Sequence, residues 1–261
     1  MNDKIKQYWD DRARENASSP EATTNDVYMR DLEIITLIKA IKNIGILSGT
    51  ILDAGCGDGY STIRVANEFS NLQFTGVDYS ENMIAIAKKQ LIEIKEAPHI
   101  EFIVGDVENL NQLFPNILFD IILTDRCLIN LDSPNRQYNA ISQISKLLKP
   151  SGYYIAIENF LNGQKNLTQL RQSVGLPEIP IRWHNLFFDE DEFKVFANKL
   201  FRNVEIVNFS SSYYFATRVI YSSMCQMRHE KPDYRHDIHK LSVNLPAIGD
   251  CSPIKMAILL K

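Results

Sequence analysis

Residues 51–62 read ILDAGCGDGYST, a short apolar run that ends in three closely spaced glycines. The aliphatic residues predict a buried strand, the glycines a tight turn, and the spacing of Tyr60, Ile63 and Ala66 a helix beyond the turn. A strand, a tight turn and a helix in this order are typical of a parallel α/β unit. This stretch therefore decides the fold class.

The same pattern recurs along the chain. QFTGVD (73–78), HIEFIVGD (99–106), FDIILTD (119–125) and YYIAIEN (153–159) each predict a strand, and helical spacing follows most of them. IKMAILLK (254–261) predicts a final strand. Strands that alternate with helices predict a parallel sheet covered on both faces. Residues 30–160 are therefore expected to form a doubly wound α/β core.

The remaining segments are expected to lie around that core. Residues 4–16 predict a polar helix with Tyr8 and Trp9, and residues 17–27 predict a loop. A helix (189–200) and a strand (203–209) follow the core. Residues 160–188 and 210–247 are interpreted as insertions on the substrate side, so that residues 1–261 form a single domain.

Composition excludes several classes of protein. The chain has 261 residues, 45% of them hydrophobic, and a net charge of −4 from 28 basic and 32 acidic residues. These values argue against a disordered chain and against binding to DNA. The four cysteines lack C-x-x-C spacing, which favours free thiols in a reducing compartment and no metal site. Without a secretory signal or a membrane-spanning run, the expected location is the cytoplasm; no feature selects an oligomeric state.

The glycine turn favours a particular kind of ligand. Gly55 and Gly57 leave room for a ligand close to the backbone, but Tyr60 replaces the third glycine of the dinucleotide fingerprint. Asp53 and Asp58 flank the turn, and their carboxylates would repel a phosphate. The turn is therefore better suited to a cationic or zwitterionic ligand.

Two further acidic residues stand at predicted strand ends. Asp78 follows the second strand, where a carboxylate can accept hydrogen bonds from ribose hydroxyls. Asp106 follows the third strand, where it can bind an exocyclic amino group. Either residue, like Asp53, could instead cap a turn or a helix. The acidic strand ends together describe an adenosine ligand without a phosphate.

Four motifs in order carry a resemblance to a known family. ILDAGCGDGYST, GVDYSENMIAIAKK, VGDVENL and FDIILTDRCLINL resemble those of the class I S-adenosylmethionine-dependent methyltransferases. The resemblance implies a seven-stranded Rossmann-like sheet of order 3-2-1-4-5-7-6 with an antiparallel strand 7. It also implies S-adenosyl-L-methionine as cofactor, S-adenosyl-L-homocysteine as product, and residues 1–29 as an N-terminal lid over the cofactor. On this basis the cofactor-binding residues are Tyr28, Arg30, Asp53, Gly55, Cys56, Gly57, Asp78, Tyr79, Met83, Asp106, Val107, Thr124 and Asp125.

Candidate catalytic residues lie beyond the cofactor motifs. His184 is the first candidate for a general base, because histidine has a pKa suited to proton transfer near neutrality. Glu158, at the end of the fifth strand, is the second. The alternative for His184 is that it packs the lid over the sheet together with Trp183.

Substrate-side residues suggest the kind of acceptor. Arg126, Asn130, Arg182 and Trp183 are candidates for binding an acidic or hydroxylated substrate, although each has an alternative role in packing, capping or the surface. The expected reaction is O-methylation of a small polar acceptor, such as a sugar, a glycan or a biosynthetic metabolite. The alternatives are an RNA or protein methyltransferase and a non-catalytic S-adenosylmethionine-binding subunit.

Overall fold

The computed structural model describes residues 3–16, 24–95 and 97–261, and the seven strands in these ranges form one sheet. The strands are β1 (Gly49–Ala54), β2 (Leu72–Asp78), β3 (Ile100–Val104), β4 (Phe119–Asp125), β5 (Leu148–Asn159), β6 (Asn203–Val207) and β7 (Ile254–Leu260). Their order is β3-β2-β1-β4-β5-β7-β6. The predicted doubly wound sheet and its strand order are confirmed.

The helices fill the connections between the strands. They are α1 (Asp3–Asn16), α2 (Val27–Ile44), α3 (Tyr60–Ala66), α4 (Glu81–Ile92), α5 (Leu110–Leu113), α6 (Pro134–Leu147), α7 (Leu161–Ser173), α8 (Glu190–Ala197), α9 (Ser211–Tyr214), α10 (Ser222–Met227) and α11 (Asp237–Ser242). A π-helical segment, Phe215–Tyr221, joins α9 to α10. Residues 1, 2 and 17–23 of the predicted lid and loop lie outside the described residues.

Strand direction brings the predicted site residues to one edge. β1 pairs with β2 and β4, and β4 pairs with β5, all in parallel. The carboxyl ends of these strands therefore lie side by side. β7 runs antiparallel between β5 and β6, as the IKMAILLK strand was predicted to do. This edge of the sheet, which carries Asp53, Asp78 and Asp125, is where open α/β sheets bind ligands.

Side-chain alternation divides the core into two layers. In β1, Ile51 packs with α2 and α3 on one face, and Leu52 packs with α6 and α8 on the other. Both side chains are fully buried. Burial of one such side chain contributes about 1.5–3 kcal/mol, so the two layers hold the sheet rigidly beneath the site.

The segments after β5 contain more helix than their glycines and prolines predict. Residues 161–173 form α7 although Gly163 lies in its first turn. A Cβ at Gly163 would overlap the backbone carbonyl of Ser252, so the glycine permits close packing of the helix on the segment before β7. No helix among the described residues has the length and hydropathy needed to cross a bilayer.

Candidate functional site

A cavity of about 270 Å³ opens at the carboxyl ends of β1, β2, β4 and β5. Its walls also include α1, the loop between α7 and α8, and the segment from α9 to α11. The predicted site residues that line it are Arg30, Asp53, Gly55, Cys56, Gly57, Asp78, Tyr79, Met83, Val107, Asp125, Arg126, Asn130, Arg182 and His184. The structure therefore brings most of the residues singled out in the sequence to one cavity.

The glycine turn forms the floor of the cavity. Gly55 and Gly57 both have positive φ, +88° and +55° respectively, which side chains disfavour. The backbone N–H groups of Gly55 and Cys56 both donate to the carbonyl oxygen of Val77, at 2.7 and 3.0 Å. A Cβ at Gly55 would overlap the thiol of Cys127. Gly55 therefore permits the close packing of the turn against Cys127, which also lines the cavity.

Three carboxylates form one wall. Asp53 and Asp78 are buried, and Asp125 ends β4 beside them. Burial raises the pKa of Asp53 to about 7, even though the Thr62 hydroxyl donates to its carboxylate at 2.5 Å. Burial also raises the pKa of Asp78 to about 6 and that of Asp125 above its usual value. Since a nearby cation favours ionised carboxylates, this wall is suited to a positively charged ligand.

Two cavity arginines are neutralised by neighbouring carboxylates. Arg30, on α2, lies 2.5 Å from the carboxylate of Asp58, and both side chains are nearly inaccessible to solvent. Arg126 has a positive φ of +52°, and its Nε lies 2.9 Å from Oε1 of Glu33 on α2. Burial raises the pKa of Glu33, an effect that the charge of Arg126 partly offsets and that of Asp125 increases. These pairs join α2 to the turns after β1 and β4.

A third pair joins the N-cap of α2 to the C-terminal insertion. Asp26 forms an ion pair with Arg218 and accepts a hydrogen bond of 2.6 Å from the Tyr213 hydroxyl. The same hydroxyl lies 3.0 Å from Nδ1 of His239. Hydrogen bonding and the charge of Arg218 outweigh burial and lower the pKa of Asp26 to about 2. The network fixes the π-helical segment, which carries Arg218, at the cavity wall.

Helix α1 covers the cavity through polar contacts. The indole N–H of Trp9 donates to Oδ1 of Asn130 at 3.3 Å, and the Ser80 hydroxyl donates to the carboxylate of Asp10 at 2.5 Å. The Tyr79 hydroxyl donates to a backbone carbonyl of α1. All three contacts are made by residues at or near the cavity, so α1 is held directly over it.

His184 lies on the inner side of the loop between α7 and α8. Its side chain is buried, and its ring stacks on that of Tyr8 with 4.4 Å between centroids. Burial, with the charge of Arg182, lowers the pKa of His184 to about 4. Its Nδ1 has no hydrogen-bond partner among the described residues. The ring is therefore neutral near pH 7 and has a free nitrogen, as a proton acceptor requires.

Three predicted cofactor residues do not line the cavity. Tyr28 packs against the core on the α2 side of the sheet. Asp106 caps the turn after β3 and accepts a hydrogen bond from the backbone N–H of Glu108 at 3.0 Å. Thr124 is buried, and its hydroxyl lies 2.8 Å from that of Tyr154. Their predicted contacts with the cofactor remain predictions.

Two other predicted residues also lie off the cavity wall. The carboxylate of Glu158 accepts hydrogen bonds from the backbone N–H groups of Leu128 and Ile129, so it orders the turn after β4. Burial raises the pKa of Glu158 to about 7. Trp183 is 65% exposed and packs edge-on against Tyr8 at the outer surface.

Several residues that line the cavity were not predicted from the sequence. Asn159, at the end of β5, lines the cavity, whereas its neighbour Glu158 does not. The alternation of side chains along β5 could have distinguished the two residues. Tyr154, Ala156 and Glu158 share one face of the strand, and Asn159 lies on the other. Gln164 and Tyr214 lie in the insertions, where no motif marked them. They reach the cavity only through the tertiary packing of α7 and of the segment from α9 to α11.

Comparison with known proteins gives consistent matches. Residues 48–175 match a family described as a methyltransferase domain. A malonyl-[acyl-carrier protein] O-methyltransferase of Ilyobacter polytropus is 30% identical over 152 residues, 58% of this chain and 52% of that protein. A demethylmenaquinone methyltransferase of Leptospira interrogans is 34% identical over 41% of this chain and 42% of its own length. The chain thus spans about half the length of the curated relatives it matches.

Among solved structures, the magnesium protoporphyrin IX methyltransferase of Synechocystis with bound S-adenosylhomocysteine superposes with a TM-score of 0.65. The alignment covers the full length of both chains at 14% identity. This similarity concerns the fold.

Proposed function

We propose that this chain methylates an oxygen atom of a small polar acceptor. It belongs to the class I S-adenosylmethionine-dependent methyltransferases, because residues 48–175 match a methyltransferase domain and the sheet has the strand order of that fold. The wall of three carboxylates, of which Asp53 and Asp78 are buried and Asp125 is partly buried, carries this proposal. It would provide negative charge for a ligand that carries a sulfonium and an ammonium group.

The residues at the floor and the acidic wall fit this cofactor. The open turn at Gly55 and Gly57 is assigned to the methionine part, and Asp78, at the end of β2, to the ribose hydroxyls. Asp53 and Asp125 are assigned to stabilising its positive charge. S-Adenosylmethionine supplies a methyl carbon that the sulfonium makes electrophilic. The protein then has to orient the acceptor, exclude water and accept a proton.

His184 is proposed as the acceptor of that proton. Its ring is neutral near pH 7, has an unpartnered Nδ1 and lies against α1, which covers the cavity. A low pKa makes histidine a weaker base, but it keeps the ring unprotonated at physiological pH. Glu158 is better suited to a structural role, since it does not line the cavity and its carboxylate orders the turn after β4.

The acceptor is proposed to be a hydroxylated metabolite, with a sugar or glycan as one candidate. The relative from Ilyobacter is named as an O-methyltransferase, which supports oxygen as the methylated atom. RNA is disfavoured as acceptor, because three of the four cavity arginines already pair with carboxylates. We place the enzyme in the cytoplasm, since all four cysteines are free and buried.

The proposal is tested in two steps. Isothermal titration with S-adenosylhomocysteine measures cofactor binding, and absence of binding would refute the family function. Incubation with labelled S-adenosylmethionine and fractions of a metabolite, protein and RNA extract then identifies the acceptor class. Transfer to small molecules supports the proposal, and transfer to RNA or protein contradicts it. Binding without transfer to any fraction would indicate a non-catalytic subunit.

A further inference from the structure

The four arginines that line the cavity differ in their partners. Arg30, Arg126 and Arg218 each form an ion pair with a buried carboxylate. Arg182, on the loop between α7 and α8, has no ion pair or side-chain hydrogen bond with any described residue. Its guanidinium is exposed at the mouth of the cavity. It is therefore the cavity cation whose charge is available to a ligand.

The wall between Arg182 and the sheet is largely aliphatic. Ile129, Leu167, Ile179 and Phe187 line it, and Leu167 and Ile129 are almost fully buried within the protein. These side chains come from the turn after β4, from α7 and from the loop after α7. A ligand body in this part of the cavity removes apolar surface from water, at about 25 cal/mol per Å².

Two polar atoms on the inner wall are left without partners. Oδ1 of Asn159 and Nδ1 of His184 are both buried and have no hydrogen-bond partner among the described residues. Both residues line the cavity. Because an unsatisfied buried polar atom destabilises the protein, these positions are expected to receive a hydrogen-bond donor from a ligand.

We propose that the methyl acceptor is an amphipathic acid, whose oxyanion pairs with Arg182, whose apolar body lies along the aliphatic wall, and whose hydroxyl end donates to Nδ1 of His184. The inference rests on the proposed methyltransferase function and specifies its substrate class. Neutral sugars lack the oxyanion and have little apolar surface, so they fit this part of the cavity less well.

Charge coupling supports the assignment. The positive charge of Arg182 is the second cause, after burial, of the low pKa of His184. An oxyanion at Arg182 would offset that charge and raise the pKa of His184. A bound acidic acceptor would thus make the neighbouring histidine a better proton acceptor, whereas a neutral acceptor would not.

The test uses the whole chain saturated with S-adenosylhomocysteine and probes of equal chain length. Octanoate, octyl phosphate and 1-octanol are titrated calorimetrically into the wild-type protein, Arg182→Gln and Arg182→Lys. Arg228→Gln is the matched control, because Arg228 is an exposed arginine that does not line the cavity. Octanoate or octyl phosphate should bind about tenfold more tightly than 1-octanol, the effect expected of a charge-assisted hydrogen bond.

Arg182→Gln should abolish this preference, and Arg182→Lys and Arg228→Gln should keep most of it. A preference for either anion supports the proposal and identifies the oxyanion as carboxylate or phosphate. Equal binding of octanoate, octyl phosphate and 1-octanol, or loss of the preference in Arg228→Gln as well, would overturn it. Failure of S-adenosylhomocysteine to bind would instead refute the proposed function, so the two failures are distinguishable.

Discussion

Replacement of Asp78 by Asn tests the acidic wall, because it separates the role of the carboxylate in folding from its role in binding. The carboxylate is 8% exposed and accepts backbone hydrogen bonds from Gly57 at 3.0 Å and Ser80 at 2.9 Å. Burial raises its pKa from 3.8 to about 6. Between these values the folded protein keeps a proton that the unfolded chain releases, so stability falls as the pH rises through this window.

The magnitude follows from the pKa difference of roughly two units. At neutral pH the ionised Asp78 lowers the free energy of unfolding by about 3 kcal/mol, at 1.36 kcal/mol per unit. Asn escapes this penalty but cannot accept both backbone hydrogen bonds, which costs about 1 kcal/mol. Relative to wild type, Asp78→Asn should therefore gain about 0.5 kcal/mol of stability at pH 5 and about 2 kcal/mol at pH 7.5.

Cofactor binding should change in the opposite direction. Ribose hydroxyls that donate to a carboxylate lose their charged acceptor, so Asp78→Asn should bind S-adenosylhomocysteine at least tenfold more weakly, about 1.4 kcal/mol. Calorimetric titration and thermal unfolding at both pH values measure the two effects. The control is Asp191→Asn, at an exposed position on α8. Unchanged affinity in the folded variant would refute the ribose assignment, and a pH-independent stability difference would refute the buried ionisable carboxylate.

Other substitutions test the remaining parts of the site. His184→Ala should retain affinity for S-adenosylhomocysteine but lose at least a hundredfold in turnover, as is typical for removal of a general base; full turnover with the identified acceptor would exclude His184 from the mechanism. Trp9→Phe removes the indole hydrogen bond that holds α1 over the cavity. The variant should be cleaved faster by proteases near α1 and should bind the cofactor more weakly, and protease resistance equal to that of the wild type would contradict this role. Arg30→Met leaves the buried carboxylate of Asp58 unpaired and should lower stability by about 3–5 kcal/mol in chemical unfolding, whereas a loss below 1 kcal/mol would contradict the pairing. Asp26→Asn should lower the free energy of unfolding by roughly 2 kcal/mol at pH 7, because the pKa of Asp26, about 2, lies below its usual value. This contribution is present above pH 4 and disappears as the pH falls through 2. An equal loss of stability at pH 2 and pH 7 would therefore argue against it.

The fold was predictable because its signals are local. Apolar runs that end in Asp53, Asp78 and Asp125 mark the carboxyl ends of strands, and the glycines after Asp53 mark the turn. The strand order required the resemblance to a known family, since hydrophobic pattern alone does not order parallel strands. Helix α7 was not predicted because Gly163 normally disfavours a helix, and its reason is a contact with a segment about 90 residues later in the chain.

The site was predictable only in part, for the same physical reason. Residues at strand ends reach the cavity through local geometry, but the partners of its polar groups depend on distant segments. Trp9 bonds to Asn130, 121 positions away, and Arg126 to Glu33, 93 positions away. No sequence spacing predicts such pairs. They follow from the way α1 and α2 cross the edge of the sheet.

The distribution of charge in the cavity links its stability to its proposed ligand. The buried arginines are matched by carboxylates, whereas Asp53 and Asp78 line the cavity with raised pKa values and contact no cation among the described residues. Burial of these carboxylates destabilises the unliganded protein near pH 7, because their ionised forms lack compensation. A ligand with a sulfonium and an ammonium group provides that compensation, so the same burial that lowers stability increases the gain on binding. The acidic wall therefore favours a cationic adenosyl ligand over a neutral or phosphorylated one, even though the turn resembles a nucleotide-binding loop.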